Sequence, residues 1–269
     1  MQVLRQLLNK LIMVQEMISK CNICNGDLID FYRSIKKCED CGHGQSELKK
    51  TPNYTNESNF DTGKNNKHFM QFAERDYSLI EDHVSGFFGK NRKILEIGAG
   101  LGFLSEFIMT KNENVDIEAF EMNPALIEHM KSRGISVIDD YDKGYYDVII
   151  MDHVLEHISD ASKFIENLSS KADKIILFQT NHEGVIPKFL PFLWYGWSLK
   201  QHYHHFTESS IREIAININA ADVEFRYYKL DQVLNVSLKS IAKIPLILIN
   251  RLLKPGKSND AFVAIISTK

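Results

Sequence analysis

The chain has no run of eighteen apolar residues, so the sequence predicts no membrane-spanning helix. Its first residues do not read as a secretory leader: Arg5 and Lys10 interrupt the apolar positions, and no small-residue cleavage site follows. A basic excess is also missing. Lys and Arg total 32 against 35 Asp and Glu, a formal net charge of -3, which argues against a dedicated nucleic-acid binder while leaving room for a local basic patch. Cysteine is scarce, four residues in 269, and all four lie in two tight pairs, Cys21/Cys24 and Cys38/Cys41. Such pairs do not resemble a disulfide framework and suit the reducing cytoplasm, where the chain is expected to reside. Both tryptophans fall in one short stretch, Trp194 and Trp197. What is present is ordinary: 44% hydrophobic and 25% charged residues, in a length that holds one full α/β domain and a small appendage.

Four stretches of different character follow one another. Residues 1–20 carry apolar side chains at helical spacing, from Val3 and Leu4 to Met17 and Ile18. They read as a helix packed on the domain or on a second copy of the chain, which would make a homodimer; alternatively Met17 is the native start. Residues 21–46 hold the cysteines. Residues 47–66 are polar, with Pro, Gly and Asn, and read as a linker. From 67 to 269 the pattern is that of one α/β domain. Strands at Lys93–Ile97, Val115–Phe120, Ile135–Ile138, Tyr146–Met151 and Lys174–Phe178 alternate with helices at Phe103–Lys111, Pro124–Arg133 and Ala161–Ser169. Alternation of this kind predicts βαβ units and a parallel sheet with helices on both faces. A helix at Glu208–Ile216, capped by Thr207, precedes two late strands, Val223–Lys229 and Ala261–Ser267. Two inserts interrupt the scheme. Residues 181–206 are rich in aromatics and longer than a plain connection, as substrate lids are. Residues 231–259 mix an apolar run with Lys239, Lys243, Arg251, Lys254 and Lys257, and read as a cap, with interfacial membrane contact or binding of a phosphorylated substrate as the sharper alternatives.

The first strand runs straight into Gly98-Ala99-Gly100-Leu101-Gly102 and then a helix. Glycines permit positive φ and close backbone approach by a ligand, and the helix N-terminus offers free N–H groups. The spacing is not the Gly-x-Gly-x-x-Gly of dinucleotide enzymes, and Glu96 just before the loop suits a cationic group better than a pyrophosphate. Glu121 stands nineteen residues after Gly102, at the carboxyl end of the second strand, where a carboxylate can accept both ribose hydroxyls. The competing reading of Glu121 is a helix-capping acid before Pro124.

Ile94–Gly102 resembles the first motif of class I S-adenosylmethionine-dependent methyltransferases, whose loop wraps the methionine part of the cofactor. The resemblance implies cofactor contacts at Glu96, Gly98, Ala99, Gly100 and Gly102, ribose binding by Glu121, adenine packing by Met122, and an adenine contact from Asp139 or Asp140. S-adenosylhomocysteine would be the product. The implied fold is a Rossmann-like, mostly parallel seven-stranded α/β sheet with helices on both faces, the last strand antiparallel to the rest. Tyr146–His157 resembles the "FDVI…VLEH" stretch of small-molecule members, which puts Asp152 and His153 near the transferred methyl group and leaves His157 to position the loop. The insert ends in His202-Tyr203-His204-His205-Phe206-Thr207, similar to an "HHFT" stretch of the same members. Methyl transfer to oxygen needs a base near neutral pH, so His153, His204 and His205 are the catalytic candidates, with Tyr203 and the tryptophans shaping the pocket. A metal site built from these histidines finds no carboxylate at a usable spacing, since Glu208 falls in the following helix. No Asn-Pro-Pro-Tyr motif is present, which argues against adenine or glutamine as the acceptor.

The cysteine pairs form two C-x-x-C knuckles separated by thirteen residues. Cys21, Cys24, Cys38 and Cys41 are thus expected to hold one structural Zn²⁺ in a small N-terminal zinc ribbon. A zinc head occurs in two resembling groups: sugar- and capsule-modifying methyltransferases, and ribosomal RNA guanine methyltransferases. The acidic balance, the "VLEH" stretch and the aromatic insert favour the first. The expected acceptor is then a small molecule, a sugar nucleotide or other capsular polysaccharide precursor including phosphoramidate-type groups, rather than nucleic acid or a membrane. An RNA base, or a binding module that has lost catalysis, are the alternatives.

Overall fold

A computed structural model describes residues 20–46, 66–85, 92–189, 191, 194, 196–229, 256–257 and 259–269. The expected helix over 1–20, nearly all of the linker and most of the insert 231–259 lie outside the described residues. Among the described residues no helix is long and apolar enough to cross a membrane.

The larger sheet has seven strands: β4 (Arg92–Ile97), β5 (Val115–Phe120), β6 (Ser136–Ile138), β7 (Tyr146–Asp152), β8 (Ala172–Thr180), β10 (Asp222–Tyr228) and β11 (Ala261–Ser267), in the order β10-β11-β8-β7-β4-β5-β6. Strands β4 to β8 pair in parallel, and β11 runs antiparallel to both its neighbours. The inner strands read as continuous apolar runs because both faces are covered. Successive residues face opposite sides. Leu95, Ile149 and Leu177 meet Ile165 and Leu168 of α4 (Ala161–Ser169) and Ile211 and Ile214 of α6 (Glu208–Asn217). Ile94, Val148, Ile150 and Ile176 meet Tyr77, Ile80 and Val84 of α1 (Asn66–Val84) and Leu104 and Ile108 of α2 (Phe103–Lys111). Each such aliphatic side chain contributes about 1.5–3 kcal/mol by leaving water. Between β5 and β6, α3 (Pro124–Ser132) starts on Asn123, whose side chain accepts from the Ala125 N–H, with Pro124 at the first helical position.

The loop after β4 is left-handed at all three glycines. Two positions admit no side chain. A Cβ on Gly98 would lie 2.5 Å from a methyl of Val154, and one on Gly102 would lie 2.6 Å from Ile135. The glycines therefore let the loop pack against Val154 in the turn after β7 and against Met130 of α3 and Ile135 beyond it, while Gly100 stays open.

The cysteine module is an antiparallel meander of β1 (Leu28–Tyr32), β2 (Ile35–Cys38) and β3 (Gly44–Ser46). A fourth strand comes from far along the chain: β9 (His204–His205) pairs with β3, setting His205 opposite Gly44 and His204 opposite Gln45. The module is thus sewn into the larger domain. Thr207 Oγ1 donates to the Cys41 carbonyl at 3.0 Å and Asn217 Nδ2 to that of Ile23 at 3.0 Å. Cys21, Ile23, Cys38 and Cys41 share one buried cluster with Leu95, Phe206 and Ile211. The short helix α5 (Val185–Phe189) and the two tryptophans complete the other side. Trp194 and Trp197 pack edge to face at 4.6 Å, against Ile35 and Ile186. They brace the cysteine module and do not shape the pocket as expected.

Candidate active site

A cavity of about 660 Å³ opens at the carboxyl ends of the parallel strands, between β5 and β7 on either side of β4. This is the crevice where strand order reverses, and where open α/β sheets bind ligands. One wall carries Gly98, Gly100, Glu121, Met122, Asn123 and Leu126. The other carries His153, Val154, His157, Ile158, Ser159 and Tyr203. Phe120, Tyr141 and Phe164 close the apolar side, with Tyr141 edge-on to Phe120 at 4.9 Å.

Glu121 is the best-oriented group on the first wall. Its Oε2 accepts the Gly100 N–H at 3.0 Å, and its Oε1 accepts the N–H groups of Met122 at 2.7 Å and Asn123 at 2.9 Å. Three backbone donors fix the carboxylate, and its remaining lone pairs are available to ligand hydroxyls. Met122 beside it is 57% exposed, unusual for its type, and lines the cavity.

The opposite wall is built on a strained turn. His153 follows β7 at φ 52, a left-handed conformation that costs a non-glycine residue energy and turns its side chain out of the sheet. His153 Nδ1 donates to Glu156 Oε1 at 3.1 Å, and Gln179 Nε2 donates to Glu156 Oε2 at 3.0 Å. Glu156 is 1% exposed. Burial opposes charge on both members of the pair, but their hydrogen bond and mutual attraction outweigh it, holding His153 up and Glu156 down as an ion pair.

Behind the glycine loop lies a second group of acids. Glu96 is 3% exposed and accepts the Ser105 hydroxyl. Burial raises its carboxyl to about 8. Asp76 on α1 is raised to about 7 by burial and by the Asp152 charge, against the pull of Arg75. Asp152 is raised by burial; its Oδ1 makes no hydrogen bond among the described residues and faces His153 Nε2 at 3.9 Å. Arg75, bonded to Asp76 at 2.6 Å and stacked over Tyr228, also keeps one buried nitrogen, Nη1, unsatisfied. Three carboxyls and one guanidinium thus gather on the sheet side of the loop.

Of the residues singled out from sequence, Gly98, Gly100, Glu121, Met122, His153 and Tyr203 line the cavity. Ala99 and Gly102 shape the loop without lining it. Glu96 stands behind the loop rather than in the cavity. Asp140 caps the turn Tyr141–Lys143, accepting from Asp142 N at 2.9 Å, and Asp139 is exposed; neither lines the cavity, whereas their neighbour Tyr141 does. The base role expected of His204 and His205 fails on position. Both are 1% exposed in the seam between β3 and the larger domain. His204 Nδ1 meets His43 Nε2 at 3.1 Å and its Nε2 reaches the Ser159 carbonyl at 3.3 Å; His205 Nε2 meets Ser46 Oγ at 2.8 Å. Burial holds His204 down to about 3 and His205 well below its usual value. Sequence reasoning passed over Arg75, Asp76, Tyr141 and Gln179. Only the last leaves a signal, a glutamine inside the apolar run of β8.

Comparison with known protein families matches residues 68–224 to the methyltransferase domain. The chain belongs to this family. Over 141 residues it is 28% identical to malonyl-[acyl-carrier protein] O-methyltransferase 2 of Ilyobacter polytropus, covering 45% of this chain and 54% of that protein. The chain therefore spans about half the length of the curated relative it matches. Among solved structures, an S-adenosylmethionine-dependent methyltransferase from Thermotoga maritima superposes with TM-score 0.51 at 12% identity, covering 76% of this chain and 94% of the other. A candidate O-methyltransferase from Nostoc punctiforme superposes with TM-score 0.50 at 13% identity, over 74% and 56% of the two chains. These likenesses agree with the methyltransferase fold, β11 antiparallel at its expected place.

The buried acids give the methyltransferase domain a pH dependence of definite sign. Glu96 and Asp76 are protonated in the folded protein near neutrality but would ionise at ordinary values when unfolded. A folded-state value above the unfolded one contributes stability in acid that is lost as pH rises through about 7 to 8. The ligand-free thermal midpoint should fall between pH 6 and pH 9, and Glu96→Gln should flatten that fall. An equal slope in the variant would show that Glu96 does not titrate in this range.

Proposed function

We propose that the protein transfers a methyl group from S-adenosylmethionine to a small polar acceptor, most simply at an oxygen atom. The observation that carries this reading is the Glu121 carboxylate, held by three backbone N–H groups at the end of β5 and facing the cavity beside the open glycine loop. A carboxylate so fixed is suited to a pair of ribose hydroxyls, with Met122 and Tyr141 supplying apolar faces for a base. Glu96, Asp76 and Asp152 lie toward the methionine end, where a ligand bearing ammonium and sulfonium charges would favour their ionised forms. Arg75 is the cation on that side for a carboxylate.

The cofactor supplies an already activated methyl group, so the chain's own work is orientation and exclusion of water. His153, clamped by Glu156, and Tyr203 are among the polar side chains on the acceptor wall and would hydrogen-bond the acceptor. For the acceptor itself, resemblance favours a sugar nucleotide or another surface-polysaccharide precursor.

The cysteines fit one structural zinc. The Sγ pairs Cys21/Cys41 and Cys24/Cys38 stand 3.7 and 3.4 Å apart, and all four lie within 4.8 Å of one another. Thiolates at about 2.3 Å around a tetrahedral zinc stand roughly 3.8 Å apart. Such an ion would hold the two knuckles against β9 and take no part in the chemistry. Protein purified without chelator should carry one zinc per chain by metal analysis; well under one would remove the zinc.

The function itself is tested by transfer of label from radioactive S-adenosylmethionine into a host-cell extract, separated into small-molecule and RNA fractions. Label in the small-molecule fraction is the expected result and delivers the acceptor for identification. Label in ribonuclease-sensitive material would make the protein an RNA methyltransferase, and no label above a heat-killed control would count against catalysis.

A further inference from the structure

His153 stands on the acceptor wall with its imidazole between two carboxyl groups. Its Nδ1 donates to Glu156 Oε1 at 3.1 Å, and its Nε2 is 3.9 Å from Asp152 Oδ1, beyond hydrogen-bond distance. The second oxygen of Glu156 accepts from Gln179 Nε2 at 3.0 Å, so both oxygens of this buried group serve as acceptors, as those of an ionised carboxylate do. Burial alone would lower the imidazole. The Glu156 hydrogen bond and the charges of Asp152, Glu156 and Asp76 overcome it and raise His153 to about 9, while His157 and His202 steady the Glu156 charge. A ring in this state cannot be the base that a hydroxyl acceptor requires, because both its nitrogens already carry protons. His204 and His205 are shut away in the seam with β3. His157 shares the wall, but the Gln201 carbonyl holds its Nδ1 and the His202 ring packs edge-on against it at 4.7 Å.

We propose that the acceptor is a carboxylate, bound by the Nε2–H of the His153 imidazolium and the Tyr203 hydroxyl and methylated to an ester with no general base. The inference rests on the methyl-transfer reading and deepens it. A carboxylate arrives already ionised, so no proton has to leave it. One of its oxygens forms the new O–CH₃ bond as the S–CH₃ bond of the sulfonium breaks, the electron pair staying on sulfur. The anion and the sulfonium cation neutralise each other, and the chain's work is to orient the oxygen in line with that bond. Two other acceptor classes fit the wall less well. An ammonium group would meet like charge on His153 and on the sulfonium, and would still have a proton to lose. A phosphate dianion calls for Arg or Lys, and among the described residues neither lines this cavity. One imidazolium matches one negative charge. Among surface-polysaccharide precursors this selects sugars bearing a carboxylate over neutral ones.

The test uses the full chain and the alkali lability of methyl esters. Small-molecule products labelled from radioactive S-adenosylmethionine are treated with mild alkali, and volatile label is collected. Release of most of the label as methanol is the expected result. Label that stays with the product, as an ether, a methylamine or a phosphate methyl ester would, overturns the proposal and leaves methyl transfer standing. No label in any fraction sinks both. A second measurement needs no acceptor: nuclear magnetic resonance of the histidine rings in the protein bound to S-adenosylhomocysteine, with His153→Gln assigning the His153 signals. At about pH 7.5 the His153 ring should carry protons on both nitrogens. A neutral ring at that pH would restore a base to the wall and overturn the proposal.

Discussion

Residues 202 to 207 are pulled from both sides at once, and much of the molecule hangs on that short extended run. The Tyr203 N–H donates to the Glu156 carbonyl at 2.8 Å, tying the run to the turn after β7. The Tyr203 carbonyl accepts from Ser46 N at 2.9 Å, and the next two residues pair with β3. Thr207 then caps α6 and reaches Cys41. One strand therefore fixes the cysteine module, the acceptor wall and a core helix together. A two-residue strand is marginal alone; here its backbone groups are satisfied on both sides and shielded from water, where breaking a buried hydrogen bond costs about 1–3 kcal/mol.

The same run explains why its histidines are neutral and paired. His204 and His205 lie in the seam between two layers, and desolvation is the largest influence on each. Charging either would bury an unpaired cation, so each instead meets a hydrogen-bonding partner, His43 and Ser46. A residue chosen for this seam must fill aromatic volume and still satisfy polar neighbours, and histidine does both. His202, two residues earlier, has left the seam and stands behind the cavity wall.

Most of the fold was legible because parallel strands buried on both faces announce themselves as apolar runs, and the glycine loop marks where the first of them ends. The strand order and the antiparallel β11 came from family resemblance rather than from pattern. In the site, Gly98, Gly100 and Glu121 were legible because backbone and strand-end positions follow from local sequence. The misreadings share one physical origin. A histidine's environment is set by whichever distant segment packs on it, and nothing local says that residues 204 and 205 would be claimed by a strand 160 residues earlier. For the same reason Glu208 was weighed as the carboxylate nearest the histidine cluster, whereas the fold supplies Glu156 from the turn after β7. Asp139 and Asp140 were near misses, one turn away from the Tyr141 ring that lines the cavity.

The claim on which the functional account rests is that the cavity between Glu121 and His153 receives S-adenosylmethionine. Calorimetry of the wild type and of Glu121→Ala with S-adenosylmethionine and S-adenosylhomocysteine tests it most directly. Two hydroxyl hydrogen bonds to a charged acceptor, at about 1.5 kcal/mol each, predict that the variant binds roughly a hundredfold more weakly while remaining folded. Equal affinity in the two proteins, or no binding by the wild type, would contradict the account.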